Sequence, residues 1–222
     1  ITPDNTLGEE SSVVVPNQEI RGIDSDRIEG GAIRDGNLFH SFEDFNIELG
    51  RGAYFTNPDS IANILTRVTG ENISNLNGTL GVLGEANLFL INPNGIIFGE
   101  GARLDINGSF VGSTAESILF KNYEFSATNP ETPPLLTINV PTGLQVGENS
   151  GDIVVRSRPL PLTEGEFNEV ADAEQLPDVG GLQVPAGESL TLIGGNIRIE
   201  SGQIQSPSTD VQLGSLDSAG VV

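Results

Sequence analysis

Hydrophobic positions in this chain come in short bursts, each closed by Gly, Asn, Pro or Asp. The bursts are "GTLGVLG" (78–84), "NLFLI" (87–91), "GIIFG" (95–99), "RLDI" (103–106), "GSFVGST" (108–114), "SILF" (117–120) and "LLTINV" (135–140). They continue with "GLQV" (143–146), "DIVVRS" (152–157), a second "GLQV" (181–184), "SLTLIG" (189–194), "NIRIE" (196–200), "GQIQ" (202–205) and "VQLGSL" (211–216). Segments of three to five residues bounded by turn formers predict short strands. The best helical signal is "SIANILTRVTG", with Ile61, Ile64, Leu65 and Val68 at helix spacing. Its β-branched content and the closing Gly70 favour a strand instead.

The spacing of the turns narrows the architecture. Sandwich strands are longer, with turn signals every 8–12 residues or so. Here the turns fall closer together, so each segment is too short to form a good sheet within one hairpin. Pairing with the segment one coil later, in a stacked parallel ladder, solves that problem. Two weak echoes fit such a solenoid. The Leu-Gln-Val triplets begin at Leu144 and Leu182, 38 positions apart, and "EANLFLIN" at Glu85 echoes "GARLDING" at Gly101, 16 positions on. Coils of roughly 20–25 residues would give on the order of ten levels, and ~4.8 Å between strands a rod of roughly 45–50 Å. Two stretches break the rhythm: "SATNPETPP" (126–134) and the acidic run between Pro159 and Pro177, both expected to protrude.

Composition removes several function classes. The 222 residues carry 31 acidic against 10 basic side chains, a net charge of −21, which opposes binding to nucleic acid and to anionic lipid. Cys 0 removes disulfides, thiol nucleophiles and thiolate metal sites, and the single histidine, His40, removes a multi-His zinc site within one chain. Gly 28 and Pro 13 suit a turn-dense β protein. The absence of Met and the start at Ile1 suggest a processed or excised chain. No apolar run reaches the ~18–20 residues that span a bilayer.

Between two bursts stands Asn92-Pro93-Asn94-Gly95. It fits a type I turn, with Asn92 capping the first position, Pro93 pre-setting φ at the second, and Asn94 and Gly95 suited to the third and fourth. "TNPDS" repeats the chemistry upstream with Asn57, Pro58 and Asp59. The segment from Asn57 to Ala115 resembles the secretion domain of two-partner-secretion exoproteins of the filamentous-haemagglutinin type. The family hallmark Asn-Pro-Asn-Gly-Ile stands here as Asn92, Pro93, Asn94, Gly95 and Ile96. Its upstream Asn-Pro-Asn-Leu hallmark matches only at Asn57 and Pro58, because Asp59 and Ser60 follow. "AIRDGNLFHSFEDFNIELGRGAYF" (32–55) fits the family's opening segment.

The resemblance implies an all-β fold, a right-handed single-stranded parallel β-helix with an N-terminal cap and extra-helical loops or hairpins. It implies one secretion domain over 1–222: a cap and first coils (1–55), core coils with the Asn92–Ile96 motif (56–125), and further coils with an acidic loop at 159–178 (126–222). The implied function is secretion targeting. The domain is recognised in the periplasm of a double-membrane bacterium by the soluble domains of an outer-membrane β-barrel transporter. It is threaded outward and nucleates β-helix folding at the cell surface, expected as a monomer, with no cofactor and no metal. The family's long passengers are mostly adhesins, haemagglutinins or cytolysins.

Two other classes remain open at this stage: a β-helical polysaccharide lyase or hydrolase, and an adhesive glycan-binding module. The acid pairs Asp24 with Asp26 and Glu43 with Asp44 would serve the enzyme, but neighbouring strand residues face opposite ways, and the lone lysine, Lys121, lacks a basic cluster. His40 among Phe39, Phe42 and Phe45 reads as a packed residue. The acidic run offers oxygen ligands without a calcium-loop pattern. The expectation is therefore no enzyme.

Overall fold

Through the middle of the chain, Gly, Asn and Pro corners cut it into strands too short to pair with their sequence neighbours, and those strands pair across coils instead. The computed structural model describes residues 1–133, 140–157, 181–207 and 210–222. Residues 135–139 of "LLTINV" and the acidic stretch 159–178 fall outside the described residues. The N-terminal elements are β1 (Thr2–Pro3), a 3-10 turn (Gly8–Glu10), β2 (Ser12–Ile20), β3 (Ile23–Gly30), β4 (Ala32–Arg34) and β5 (Asn37–Asp44). The chain continues with β6 (Gly52–Phe55), β7 (Asn63–Val68), β8 (Ser74–Leu76), β9 (Thr79–Val82), β10 (Asn87–Ile91), β11 (Ile96–Phe98), β12 (Arg103–Asp105) and β13 (Phe110–Ser113). Next come β14 (Ser117–Phe120), β15 (Tyr123–Ser126), β16 (Gly143–Val146) and β17 (Ile153–Val155). The last are β18 (Leu182–Gln183), β19 (Leu190–Gly194), β20 (Ile197–Ile199), β21 (Ile204–Gln205), β22 (Val211–Ser215) and β23 (Gly220–Val221). Among the described residues there is no α-helix, and "SIANILTRVTG" is indeed a strand, β7.

Most pairing is parallel, in three walls. Wall A stacks β5, β7, β10, β13, β19 and β22; wall B stacks β3, β6, β9 and β12; wall C stacks β8, β11, β17 and β20. From β7 to β13 the chain visits A, C and B in fixed rotation. Stacked partners lie about one coil apart: Asn63 on Asn87, Ser74 on Ile96, Thr79 on Arg103, Leu88 on Phe110. Interruptions show as long jumps, from Phe110 to Leu190 in wall A and from Ile96 to Ile153 in wall C.

Two expectations fail here. Among the described residues wall A holds six parallel levels, spanning about 24 Å at ~4.8 Å each, because β14, β15 and β16 lie outside the walls and build no level. The Leu-Gln-Val echo is no coil repeat either. Leu144 lies on β16, which pairs antiparallel with β14 and β23, whereas Leu182 lies on β18, which pairs parallel with β21. The Glu85 and Gly101 echo likewise joins strands of different walls, β10 in A and β12 in B.

Strand alternation sorts side chains to two cores. Leu38, Ile64, Leu88, Phe110 and Leu190 face the interior with Phe42, Phe55, Leu80, Phe98 and Val155. The outward positions of wall A, Phe39, Leu65, Ile91 and Ile193, form a second core with Ile118, Phe125, Leu144 and Val146. Thus the antiparallel sheet β15-β14-β16-β23 covers wall A from outside and buries it on both faces. This is the extra-coil hairpin element that the resemblance implied. At the N-terminal end, β2 closes wall B antiparallel to β3 with a register shift between Val15 and Gln18, beside Pro16. A bulge and a proline blunt an edge against strand addition.

One polar column runs between levels. Asn63 Nδ2 donates to Asn37 Oδ1 at 3.0 Å, Asn87 Nδ2 donates to Asn63 Oδ1 at 3.1 Å, and Ser109 N donates to Asn87 Oδ1 at 2.9 Å. Side-chain amides here repeat the backbone ladder at the entrance to wall A.

Candidate recognition site

The Asn92–Gly95 corner joins β10 of wall A to β11 of wall C. Its turn closes as its residue types dictate: Gly95 N donates to Asn92 O at 3.1 Å, and Asn92 Oδ1 accepts from Asn94 N at 3.0 Å. Gly95 has φ +130°, where a side chain is strained, and an added Cβ would lie 3.1 Å from Asp152 O.

The corner also spans three levels. Asn92 is fully buried, and its Nδ2 donates to Asn72 O and Ser74 Oγ, both at 2.9 Å, on the preceding coil. Its backbone N donates to Ser113 O at 2.9 Å on the following one. Asn94 Nδ2 reaches Gly70 O at 2.8 Å, while Pro93 O accepts from Gly151 N at 2.8 Å. Ile96 is buried between Ser74 and Ile153 in the wall C register. Each amide satisfies backbone groups that a tight corner leaves open.

The upstream Asn57-Pro58 site differs. There Ile61 N donates to Pro58 O at 3.0 Å, so the turn frame begins one residue later than Asn57. Asn57 Nδ2 donates to Pro58 O at 2.9 Å. This corner joins β6 of wall B to β7 of wall A, so it does not lie beside Asn92 on the coil.

Sequence reasoning missed the polar cluster that fastens the N-terminal segment and the outer hairpin to wall A. Fully buried Arg67 donates through Nε to Ser41 Oγ at 2.9 Å, through Nη1 to Ser126 O at 2.9 Å and through Nη2 to Thr6 Oγ1 at 2.8 Å. Its guanidinium lies 4.3 Å from the centre of the Phe125 ring. Burial draws the Arg67 pKa below its usual value. Nearby Asp4 accepts from Ser41 Oγ at 2.8 Å and from Thr69 Oγ1 at 2.5 Å. Burial would raise its pKa, but these bonds and two from Thr6 hold it below the usual carboxylate value. Arg34, also buried, pairs with Glu10 at 2.6 Å. An arginine inside a run such as "ILTRVT" was the available signal, since a buried strand has no other use for a cation.

Asp24, Asp26, Asp44 and His40 each have partners within the fold. Asp24 and Asp26 both pair with Arg51, at 2.6 and 3.1 Å, and Asp44 accepts from Asn72 Nδ2 at 2.8 Å. His40 packs on Phe42 and Phe55 with Nδ1 3.0 Å from Ser12 Oγ, and burial lowers its pKa to about 3. Among the described residues no group of three His, Cys, Asp or Glu could hold a metal ion. No described helix is long and apolar enough to cross a membrane.

Stacked parallel walls, an outer hairpin layer and an Asn-Pro-Asn-Gly-Ile corner built into the stack define the class: a solenoid-like all-β module. The TPS secretion domain family matches residues 1–222, the whole chain, and the protein belongs to that family. Comparison with curated proteins returned no match. The chain is therefore a secretion-targeting module of a two-partner exoprotein, a protein exported through the periplasm of Gram-negative bacteria, and members of its family act with a transporter partner.

Proposed function

We propose that this domain is recognised by the soluble periplasmic domains of its own outer-membrane β-barrel transporter and then nucleates the folding of a surface-exposed passenger of the filamentous-haemagglutinin type. The walls wind, on this reading, as a right-handed parallel β-helix; parallel crossovers within one sheet are right-handed in about 98% of cases. Residues 1–55 act as cap and first coils, 56–125 as the nucleating coils, and 126–222 as later coils with their excursions. The site is Asn92, Pro93, Asn94, Gly95 and Ile96, with Asn57 and Pro58 shaping a second corner.

The observation that carries this is the reach of Asn92. One side chain and its own amide engage Ser74 before it and Ser113 after it. A solenoid grows by adding coils to neighbours, so a corner that fixes three levels at once is a natural nucleus. In the unfolded chain, the flanking "NLFLI" and "GIIFG" segments can add to a sheet edge of the transporter.

The test is secretion from cells carrying the chain and its transporter, comparing Asn92→Ile and Pro93→Ala with the unchanged sequence. Loss from the medium with retention in the periplasm is expected for both. Normal secretion of both removes the corner from the mechanism.

A further inference from the structure

Wall B is split. Strands β9 and β12 pair over Thr79–Arg103, Leu80–Leu104 and Gly81–Asp105, and β18 pairs with β21, yet β12 and β18 meet only at the Arg103–Gly181 bridge among the described residues. Past that bridge the ladder stays open. The outer surface there holds a cavity of about 580 Å³ and an adjoining one of about 190 Å³, which share Leu104, Asp105 and Gln183 as lining. Together they make one groove in the size range of small-ligand sites.

The chemistry of the groove is mixed. Leu49, 74% exposed, lines the larger cavity and Pro185 the smaller. Lining both, Gln183 has a buried Oε1 with no hydrogen-bond partner among the described residues. Asp105 is held in place from both sides: Tyr54 OH donates to Oδ2 at 2.9 Å, and Arg21 pairs with Oδ1. Tyr54 can lie flat on the wall because its neighbours are Gly52 and Gly81, where a Cβ would stand 2.7 and 2.3 Å from the ring. A rigid acceptor, an unsatisfied amide oxygen and isolated apolar patches suit a ligand that alternates hydroxyl donors with CH faces.

We propose that this groove binds a short neutral oligosaccharide, an activity separate from secretion targeting. Charge selects the neutral class: of the two arginines lining the groove, Arg21 is paired with Asp105 and Arg103 donates to Ala102 O, so both are engaged within the fold while the net charge of −21 opposes uronates and phosphates. Asp105 is the only described carboxylate lining it, and both its oxygens are engaged, whereas glycoside hydrolysis calls for two carboxyl groups. The groove binds sugar and does not cleave it.

The experiment is saturation-transfer NMR on the 222-residue chain with maltotetraose, cellotetraose, chitotetraose and, as the anionic control, tetragalacturonate. Transfer to at least one neutral tetramer is expected, with tetragalacturonate at least about ten-fold weaker. Gln183→Ala should weaken binding about ten-fold, the cost of one lost hydrogen bond in a desolvated site. Leu49→Asp, at an exposed position, should abolish it without altering the thermal transition, and it carries the test if Gln183→Ala fails to fold. Silence from all three neutral sugars overturns the proposal, as does undiminished binding by folded Leu49→Asp or tetragalacturonate binding as strongly as the neutral tetramers.

Discussion

Arg67 on β7 donates to the backbone oxygen of Ser126 on β15 at 2.9 Å, although 59 positions separate them in sequence. That bond, with those to Ser41 and Thr6, makes one guanidinium the meeting point of wall A, the N-terminal segment and the outer hairpin. Arg67→Ala removes three hydrogen bonds, leaves a large void in a buried site beside the Asp4 carboxylate and forfeits the contact with Phe125. A loss of about 3–5 kcal/mol is expected in urea unfolding. Amide exchange should rise first in β14 and β15, since those strands lose their tie to the wall. Uniform acceleration across all walls would contradict this placement.

His40 gives the fold a defined acid sensitivity. Its folded pKa of about 3 lies below the ordinary 6.5, so the unfolded chain binds the proton more readily. Stability therefore rises with pH between those values: it is complete above about 6.5 and falls steadily down to about 3. The full drop is on the order of 5 kcal/mol. Asp4, with a depressed carboxylate pKa, adds its loss only in the acid range below its unfolded value of about 3.8. Unfolding free energies at pH 7 and pH 4.5 should thus differ for the parent chain and hardly at all for His40→Leu. An equal slope in both would place the sensitivity elsewhere.

Much of this fold can be read from the sequence because its logic is local. The bursts from "GTLGVLG" to "GSFVGST" become β9 to β13, and the Asn92 turn closes on the atoms its residue types predict. What sequence periodicity misses is partnership. "SILF" and the first "GLQV" have the same apolar grammar as coil strands, yet they fold back antiparallel over wall A. An outward column of Phe39, Leu65 and Phe89 demands a cover, and alternation alone does not say which segment supplies it. The Asn37, Asn63 and Asn87 column escapes for a related reason: its members stand 26 and 24 positions apart, a spacing visible only once the register is known. Asn57 shows the converse: its Asn-Pro pair predicts a turn starting at the asparagine, and the turn closes from Pro58 instead.

That asparagine column yields its own expectation. Asn63 both donates to Asn37 and accepts from Asn87, so Asn63→Ala removes two hydrogen bonds of the column at once. A cost of about 1–3 kcal/mol follows from two lost hydrogen bonds. Asn63→Ala and Asn87→Ala should be strongly non-additive, because the first change already removes the bond that the second would break. Additive effects in a double-mutant cycle would show the amides acting independently rather than as a ladder.

Gly151 tests whether the Asn92 corner is fixed by the coil stacked on it. A Cβ at Gly151 would stand 2.3 Å from Asn94 O and 2.4 Å from Asn94 C, both backbone atoms that cannot swing aside. At Gly95 the obstacle is milder in space, 3.1 Å to Asp152 O, but φ of +130° strains any side chain. Both Gly→Ala changes should destabilise, Gly95→Ala by about 1–3 kcal/mol and Gly151→Ala by at least as much. The distinction lies in location. Gly151→Ala pushes the next coil away, so exchange should accelerate in β17 and β20 of wall C while β7 and β10 stay protected. Gly95→Ala distorts the turn itself and should expose the amides of Gly95 and Ile96 first. If Gly151→Ala left the wall C amides as protected as before, the corner and the coil above it would be mechanically independent, and the three-level nucleus would lose its upper contact.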